Sequence, residues 1–146
     1  MRLKFPLKIE FEITSSCNLK CKHCMLNLRD KRELDSQKIK RLIDEWIHNG
    51  LLELQLTGGE PLLRSDLLDI IEYARSRGLK VLLSTNGMLI TDKFAEKFGK
   101  LGAFIEISLD GSNKEVHNKI RNSEIFDYVI QGIEKLKYYN NKIMIF

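Results

Sequence analysis

All the cysteines of this chain lie within one short segment, Cys17-Asn18-Leu19-Lys20-Cys21-Lys22-His23-Cys24. Cysteine thiolates are the usual ligands of iron–sulfur clusters, and a [4Fe-4S] cluster normally takes four of them. Three thiolates would hold three irons and leave the fourth iron open to a small molecule. An open coordination position similarly distinguishes catalytic from structural zinc sites. The spacing therefore predicts a cluster that binds a ligand.

Burial, a disulfide and zinc each account less well for the cysteines. Burial as small apolar residues fits poorly with the polar residues between them. A structural disulfide is disfavoured because the count is odd and no secretory signal is evident, which indicates a reducing, cytoplasmic compartment. Zinc needs four ligands, and His23 adjoins Cys24, so the two would rarely reach one tetrahedral centre. His48 or His117 would have to come from distant segments, and zinc remains the alternative.

Composition places the chain among globular proteins. Its 146 residues are 43% hydrophobic and 30% charged, which is ordinary for one domain with its own core. No apolar run approaches membrane-spanning length. The net charge of +4 comes from dispersed lysines, so we expect neither a nucleic-acid site nor a membrane surface. Mild basicity would suit an acidic electron donor.

Predicted strands alternate with predicted helices along the chain. Apolar periodicity and turn residues place strands at 7–14, 53–57, 80–85, 104–109 and, as the start of a fifth, 143–146. Helices are predicted at 36–49 after the cap Asp35, at 65–77, at 92–98 after the cap Thr91, after a capping box of Ser112 and Glu115, and around 126–136. This order predicts an α/β fold with a parallel sheet, about four βα units plus the start of a fifth strand.

The unusual residues all follow predicted strands. In parallel α/β folds, ligands bind at the carboxyl ends of the strands. The cysteines follow the first strand, and the second, third and fourth strands are followed or ended by 58–61, 84–87 and 108–111. We therefore expect these segments to share one edge of the sheet.

Several residues at this edge suit a cationic or zwitterionic ligand, although each could also serve an ordinary structural purpose. Gly58 and Gly59 would let a backbone approach a ligand, and the Glu60 carboxylate could bind an amine, or the three could form a plain turn. Ser84 and Asn86 offer polar contacts or a turn. The Ser108 hydroxyl needs a partner if it is buried. Arg121 is either a carboxylate clamp or a solvated helix-end residue. His117 and Asn118 are predicted to lie on the surface, as is His48.

These segments together resemble the core of the radical S-adenosylmethionine (radical SAM) enzymes. The similarity covers nearly the whole chain, through Cys17–Cys24, 57–61, 84–87 and 107–111 in the family's order. The last segment, followed by His117, Asn118 and Arg121, resembles the subgroup that modifies peptides and proteins, including sulfatase-maturing enzymes. The resemblance implies a partial (βα) barrel, with a peptide or protein substrate and a flavodoxin- or ferredoxin-type electron donor.

The resemblance also implies residue roles. Cys17, Cys21 and Cys24 would ligate the [4Fe-4S] cluster, and His23 would lie near the adenine of SAM. The amino group of SAM would be held by Gly58, Gly59 and Glu60. Ser108 and Arg121 match positions that contact the ribose and carboxylate of SAM. In such enzymes, SAM is cleaved reductively to a 5′-deoxyadenosyl radical that abstracts a substrate hydrogen.

The chain is shorter than the family core, which has six βα units. We therefore expect residues 1–146 to be one radical SAM core domain, incomplete at its C-terminus, either a fragment or a short form that another chain completes. The alternative is a non-catalytic module, holding zinc or a cluster, or an inactive remnant. A plain nucleotide-binding domain ranks last, because the chain has neither a Walker A sequence nor GxGxxG.

Overall fold

The computed structural model describes residues 5–25 and 33–146. They form an α/β domain with one parallel sheet, whose strands follow the order β1-β2-β3-β4-β5. The strands are β1 Lys8–Thr14, β2 Glu53–Gly58, β3 Lys80–Thr85, β4 Phe104–Ile107 and β5 Lys142–Ile145. The helices are α1 Ser36–His48, α2 Leu67–Ser76, α3 Asp92–Leu101, α4 Lys114–Arg121 and α5 Phe126–Tyr138. The predicted α/β class, the parallel sheet and the fifth strand are confirmed.

The two faces of the sheet differ in polarity. On the central strands β2, β3 and β4, one face is apolar and fully buried, with Leu56 beside Leu83 and Leu83 beside Ile105 across neighbouring strands. Crossovers of one hand place the connecting helices on that face. The alternate residues of the same strands are largely polar, including Gln55 on β2 and the neighbours Ser84 and Glu106. The sheet therefore has one core face and one polar face.

Some predicted element ends differ from the structure. Strand β4 ends at Ile107 instead of 109, and α3 continues to Leu101 instead of ending at 98. Helix α2 begins at Leu67, two residues later than predicted. The carboxylate of Asp66 binds the Arg64 guanidinium, at 2.8 and 2.9 Å, and makes no cap.

The N-terminal cap of α4 was also predicted at the wrong residue. Asn113, not Ser112, is the cap, and its side chain accepts a hydrogen bond from the Val116 N–H at 3.0 Å. The predicted caps Asp35 and Thr91 are confirmed, and His48 is exposed at the end of α1 as expected. Among the described residues, no helix has the length and apolarity needed to cross a bilayer.

Candidate functional site

A cavity of about 350 Å³ opens at the carboxyl end of the strands. It brings together segments that lie more than a hundred residues apart, as the parallel-sheet rule predicts. Every predicted site residue except Glu60 lines it: Cys17, Cys21, His23, Cys24, Gly58, Gly59, Ser84, Asn86, Ser108 and Arg121. The shared edge expected from the sequence is therefore present.

The three cysteines are free thiols that line this cavity. Cys17 and Cys21 are half-buried and Cys24 is exposed. The segment is held by backbone hydrogen bonds from Cys24 to Cys21 and from Lys22 to Ile120 in α4, both at 3.2 Å. Burial raises the pKa of the Cys17 thiol, and the carboxylate of Glu60 adds to the effect. Binding iron at Cys17 would therefore displace a proton.

The chemistry of these donors fits a [4Fe-4S] cluster. The three thiols line one cavity, and thiolate is the ligand that iron–sulfur clusters require. Within residues 5–25 and 33–146, no three His, Cys, Asp or Glu side chains are arranged around a single metal ion. That finding does not count against a cluster, because each cysteine of a cubane binds a different iron. The residues present can therefore hold the group.

Gly58 and Gly59 allow the end of β2 to lie against the segment that leads to the cysteines. The N–H groups of Gly59 and Glu60 donate to the carbonyls of Thr14 and Ser16, both at 2.8 Å. A Cβ atom on Gly58 would lie 2.2 Å from the Thr14 carbonyl oxygen, and one on Gly59 would lie 2.1 Å from that of Ser16. Only glycine permits this approach. The pair thus fixes the start of the cysteine segment and also lines the cavity.

Glu60 has internal partners. Its side chain is fully buried, and one carboxylate oxygen accepts from Leu62 N–H at 3.0 Å and from the Thr85 hydroxyl at 2.8 Å. The other oxygen accepts from Asn86 N–H at 2.8 Å. Burial raises the pKa of Glu60 while these hydrogen bonds oppose the shift. Contact of this carboxylate with a SAM amine stays a prediction.

Two groups of side-chain hydrogen bonds include residues of the cavity wall. Asn86 donates from its amide nitrogen to the Asn18 side-chain oxygen at 2.8 Å, which ties the end of β3 to the cysteine segment. Ser84 donates to Glu106 at 2.6 Å and accepts from Gln55 at 2.9 Å. Both predicted residues therefore have protein partners and still face the cavity. The half-buried Ser108 lines the cavity too, and its backbone N–H donates to Thr85 at 3.1 Å.

Arg121 lies within the site, not in solvent. It is 8% exposed, and its Nε donates to the carboxylate of Asp110. One terminal nitrogen lies 3.8 Å from the sulfur of Cys21. The guanidinium of this α4 residue therefore contacts both the turn after β4 and the cysteine segment. It also places a positive charge at the cavity.

The predicted surface positions of His117 and Asn118 are wrong. His117 has no exposed surface and Asn118 is 6% exposed. The Asn118 oxygen accepts from the N–H groups of Ile125 and Phe126, at 3.1 and 3.0 Å, and its nitrogen donates to Glu124 at 2.6 Å. These hydrogen bonds satisfy groups at the start of α5, which a polar stretch of sequence does not reveal.

Sequence reasoning missed two residues that line the cavity and one that contacts the chain on either side of the cysteine segment. Glu10 and Glu12 line the cavity from β1, and their alternation with apolar neighbours placed them on the opposite face from the core. Arg64 donates to the Ile13 carbonyl at 2.9 Å and to the Leu34 carbonyl at 3.1 Å, on either side of the cysteine segment. Its side chain is 7% exposed, and no local pattern marks it.

Comparison with known proteins agrees with this geometry. The family model described as the Radical SAM superfamily matches residues 11–146. The chain is 37% identical over 137 residues to mycofactocin maturase MftC of Mycolicibacterium smegmatis, covering 92% of this chain and 35% of that protein. It is 40% identical over 134 residues to an AdoMet-dependent heme synthase of Oleidesulfovibrio alaskensis, covering 88% and 34%.

The fold is also similar to that of a solved structure. The crystal structure of Streptococcus suis SuiB bound to precursor peptide SuiA has a TM-score of 0.88 at 22% identity, covering 97% of this chain and 32% of that chain. At this identity the likeness concerns the fold alone. The chain spans about a third of the length of the relatives it matches.

Proposed function

Because the chain belongs to the radical SAM superfamily, we propose that it forms the SAM-cleaving core of an enzyme that performs radical chemistry. A [4Fe-4S] cluster and SAM, when bound, supply reductive cleavage of SAM to a 5′-deoxyadenosyl radical for hydrogen abstraction. One observation carries the proposal: the three cysteines line the same cavity as all the residues predicted to bind SAM except Glu60.

The residues of the cavity divide this work. Cys17, Cys21 and Cys24 would hold the cluster. Arg121 would pair with the carboxylate of SAM through the edge of its guanidinium that Asp110 does not occupy, since the planar fork suits a carboxylate. Gly58 and Gly59 would leave room for the amino group. The walls would orient the ligand and exclude water from it.

Around the same cavity, His23, Ser84, Asn86 and Ser108 would make further contacts with SAM. His23 is exposed beside Cys24, where an imidazole could lie against the adenine. The carboxylate of Glu60 would add a contact to the amine of SAM only if SAM reaches it beyond the glycines. These contacts are proposals that rest on the cavity lining and on the family resemblance.

The substrate proposed first is a peptide or protein. The support is the identity to a mycofactocin maturase and the fold shared with a protein solved with its precursor peptide. A second candidate is a tetrapyrrole, because a relative at 40% identity is an AdoMet-dependent heme synthase. Since the chain covers about a third of either relative, other parts of those proteins can contribute to substrate choice.

The proposal includes partners and location. Residues 1–146 would form one incomplete core domain that further sequence or another chain completes. A flavodoxin- or ferredoxin-type protein would supply the electron. A reducing compartment such as the cytoplasm suits three free thiols. The rival function, a non-catalytic module with zinc or a cluster, makes different predictions about bound metal.

The test is anaerobic purification, reconstitution with iron and sulfide, reduction, and EPR with and without SAM. We expect a cubane signal that changes when SAM is added. Replacing any one of Cys17, Cys21 and Cys24 with Ala should abolish the cluster, whereas His23→Ala should keep it. If the cysteine variants retain iron, the cysteines do not hold the cluster and the proposal fails. If the purified protein instead contains zinc and His23→Ala loses that zinc, the rival zinc site is supported and the proposal also fails.

A further inference from the structure

His117 is a fully buried side chain that contacts the turn between β4 and α4. Its Nδ1 accepts a hydrogen bond from the backbone N–H of Asp110 at 3.2 Å. Its Nε2 has no hydrogen-bond partner among the described residues, and the ring packs edge-to-face with Phe126 at 5.8 Å between centroids. A buried polar atom without a partner costs stability. An apolar residue would suit the position better unless Nδ1 has a function.

The imidazole is neutral and carries its proton on Nε2. Nδ1 can accept from Asp110 only when it has no proton of its own. Burial lowers the pKa of His117 and the adjacent charge of Arg121 lowers it further, while the Asp110 carboxylate opposes the shift without reversing it. The 3.8 Å between Nδ1 and the Asp110 carboxylate is therefore not an ion pair. The role of the ring is to accept one backbone hydrogen bond.

The residue that receives this support is itself the partner of Arg121. The backbone of Asp110 is held by His117, and its carboxylate accepts from Nε of Arg121. The guanidinium then extends to within 3.8 Å of the Cys21 sulfur and lines the cavity. A continuous set of contacts thus joins a buried imidazole to a cluster ligand.

The turn between β4 and α4 lies close against the helix. A Cβ atom on Gly111 would lie 2.8 Å from the Val116 side chain and 3.1 Å from the His117 backbone nitrogen. Glycine therefore lets the turn lie directly on the first turn of the helix. The close packing of Gly111 on α4 and the hydrogen bond from Asp110 N–H to His117 both connect the turn between β4 and α4 to that helix.

We propose that His117 is a positioning residue, which holds Asp110 so that Asp110 orients Arg121 toward the cavity and Cys21. The inference rests on the proposed function, in which Arg121 pairs with the carboxylate of SAM. His117 itself touches neither cofactor.

Substitutions that differ in where they place an acceptor test this role. The amide oxygen of His117→Asn can replace Nδ1, whereas the longer His117→Gln reaches the position of Nε2 and His117→Phe has no acceptor. On protein with an oxidised cluster, which does not cleave SAM, we expect Gln and Phe to raise the Kd for SAM about tenfold, as loss of one positioning hydrogen bond implies. His117→Asn should bind within about threefold of wild type. Phe126→Leu, which alters packing but not the acceptor, should not change the Kd.

A double-mutant cycle separates positioning from general destabilisation. If His117 acts through Arg121, combining His117→Gln with Arg121→Gln should weaken SAM binding no more than Arg121→Gln alone. The midpoint potential of the cluster without SAM should also become more negative in His117→Gln, because a cation near a thiolate favours the reduced cluster.

The outcomes show whether the proposed function fails or only the inference about His117 fails. If wild-type protein with a cluster binds no SAM, the proposed function fails. If Arg121→Gln weakens binding but His117→Gln does not, or if the two effects add, only the inference about His117 is overturned. Equal losses in His117→Asn and His117→Gln would likewise overturn it, since they would reflect packing alone.

Discussion

The carboxylate of Glu60 accepts a hydrogen bond from the backbone N–H of Asn86 at 2.8 Å, which joins the ends of β2 and β3 beside the cavity. Its other oxygen binds Thr85 and the N–H of Leu62. A residue that the family resemblance assigns to SAM thus also connects the backbone segments that form the cavity wall. Loss of activity on its mutation would not by itself identify a ligand contact.

Glu60→Gln should therefore destabilise the fold. The amide nitrogen of Gln would face an N–H or hydroxyl donor, leaving a buried group unpaired at a cost of about 1 to 3 kcal/mol. Thermal unfolding of the reconstituted protein measures this, with the exposed Glu72→Gln as the matched control, expected within about 0.5 kcal/mol of wild type. Unchanged stability with weaker SAM binding would instead assign the carboxylate to the ligand.

Gly59→Ala should displace the cysteine segment. The added Cβ would lie 2.1 Å from the Ser16 carbonyl oxygen, so backbone must move at a cost of about 3 kcal/mol or more. We expect lower iron content after reconstitution. In Gly78→Ala no atom of the residues that the structure describes lies within 4 Å of the added Cβ, and only the positive φ of 90° is penalised, by about 1 to 2 kcal/mol. Equal iron loading in both variants would contradict the close-approach argument.

Arg64→Lys should lower stability far more than Arg77→Lys. Arg64 is 7% exposed, and its guanidinium binds Asp66, Glu33 and two backbone carbonyls, which an ammonium cannot reproduce. We expect a loss on the order of 3 kcal/mol. Arg77 is half-exposed and pairs with Asp44, so its replacement should cost less than about 0.5 kcal/mol. Chemical denaturation of both variants would reveal whether the difference exists.

The Asn18–Asn86 contact should be measurable as a coupling. Its 2.8 Å hydrogen bond joins the cysteine segment to the end of β3. In a double-mutant cycle with Asn18→Ala and Asn86→Ala, we expect an interaction energy of about 0.5 to 1.5 kcal/mol in unfolding. Asn18 also donates to the Met88 sulfur at 3.3 Å in an exposed contact, whereas the buried Asn86 accepts from Met88 N–H at 3.0 Å, so the Asn86 variant should be the more damaging. Strict additivity would mean that the two side chains act independently.

Local patterns in the sequence predicted most of the architecture. Alternation in β1, helical spacing in α1 and the caps Asp35 and Thr91 depend on neighbours in the chain, so sequence alone can reveal them. The parallel order then placed the cysteines, the glycines and the segments 84–87 and 108–111 at one edge, because all parallel strands end there. That part of the site follows from periodicity and topology.

Helix α4 shows where such prediction ends. It buries His117, Asn118 and Arg121, so its inner face has no apolar stripe to read. The sequence also could not tell that Asn113 and not Ser112 caps the helix, because both adjacent residues have side chains that can cap. Polar residues can be buried when they find partners, and those partners come from other segments.

By itself, then, the sequence determined the α/β order, the edge of the sheet that carries the site and the three cysteines that are the candidate cluster ligands, because those depend on short-range periodicity and spacing. Only the tertiary structure decided that Glu60 connects two strands, that His117 holds Asp110, and that Arg121 lies near Cys21. These contacts are hydrogen bonds between groups up to a hundred residues apart, and their geometry exists only once the helices have packed on the sheet.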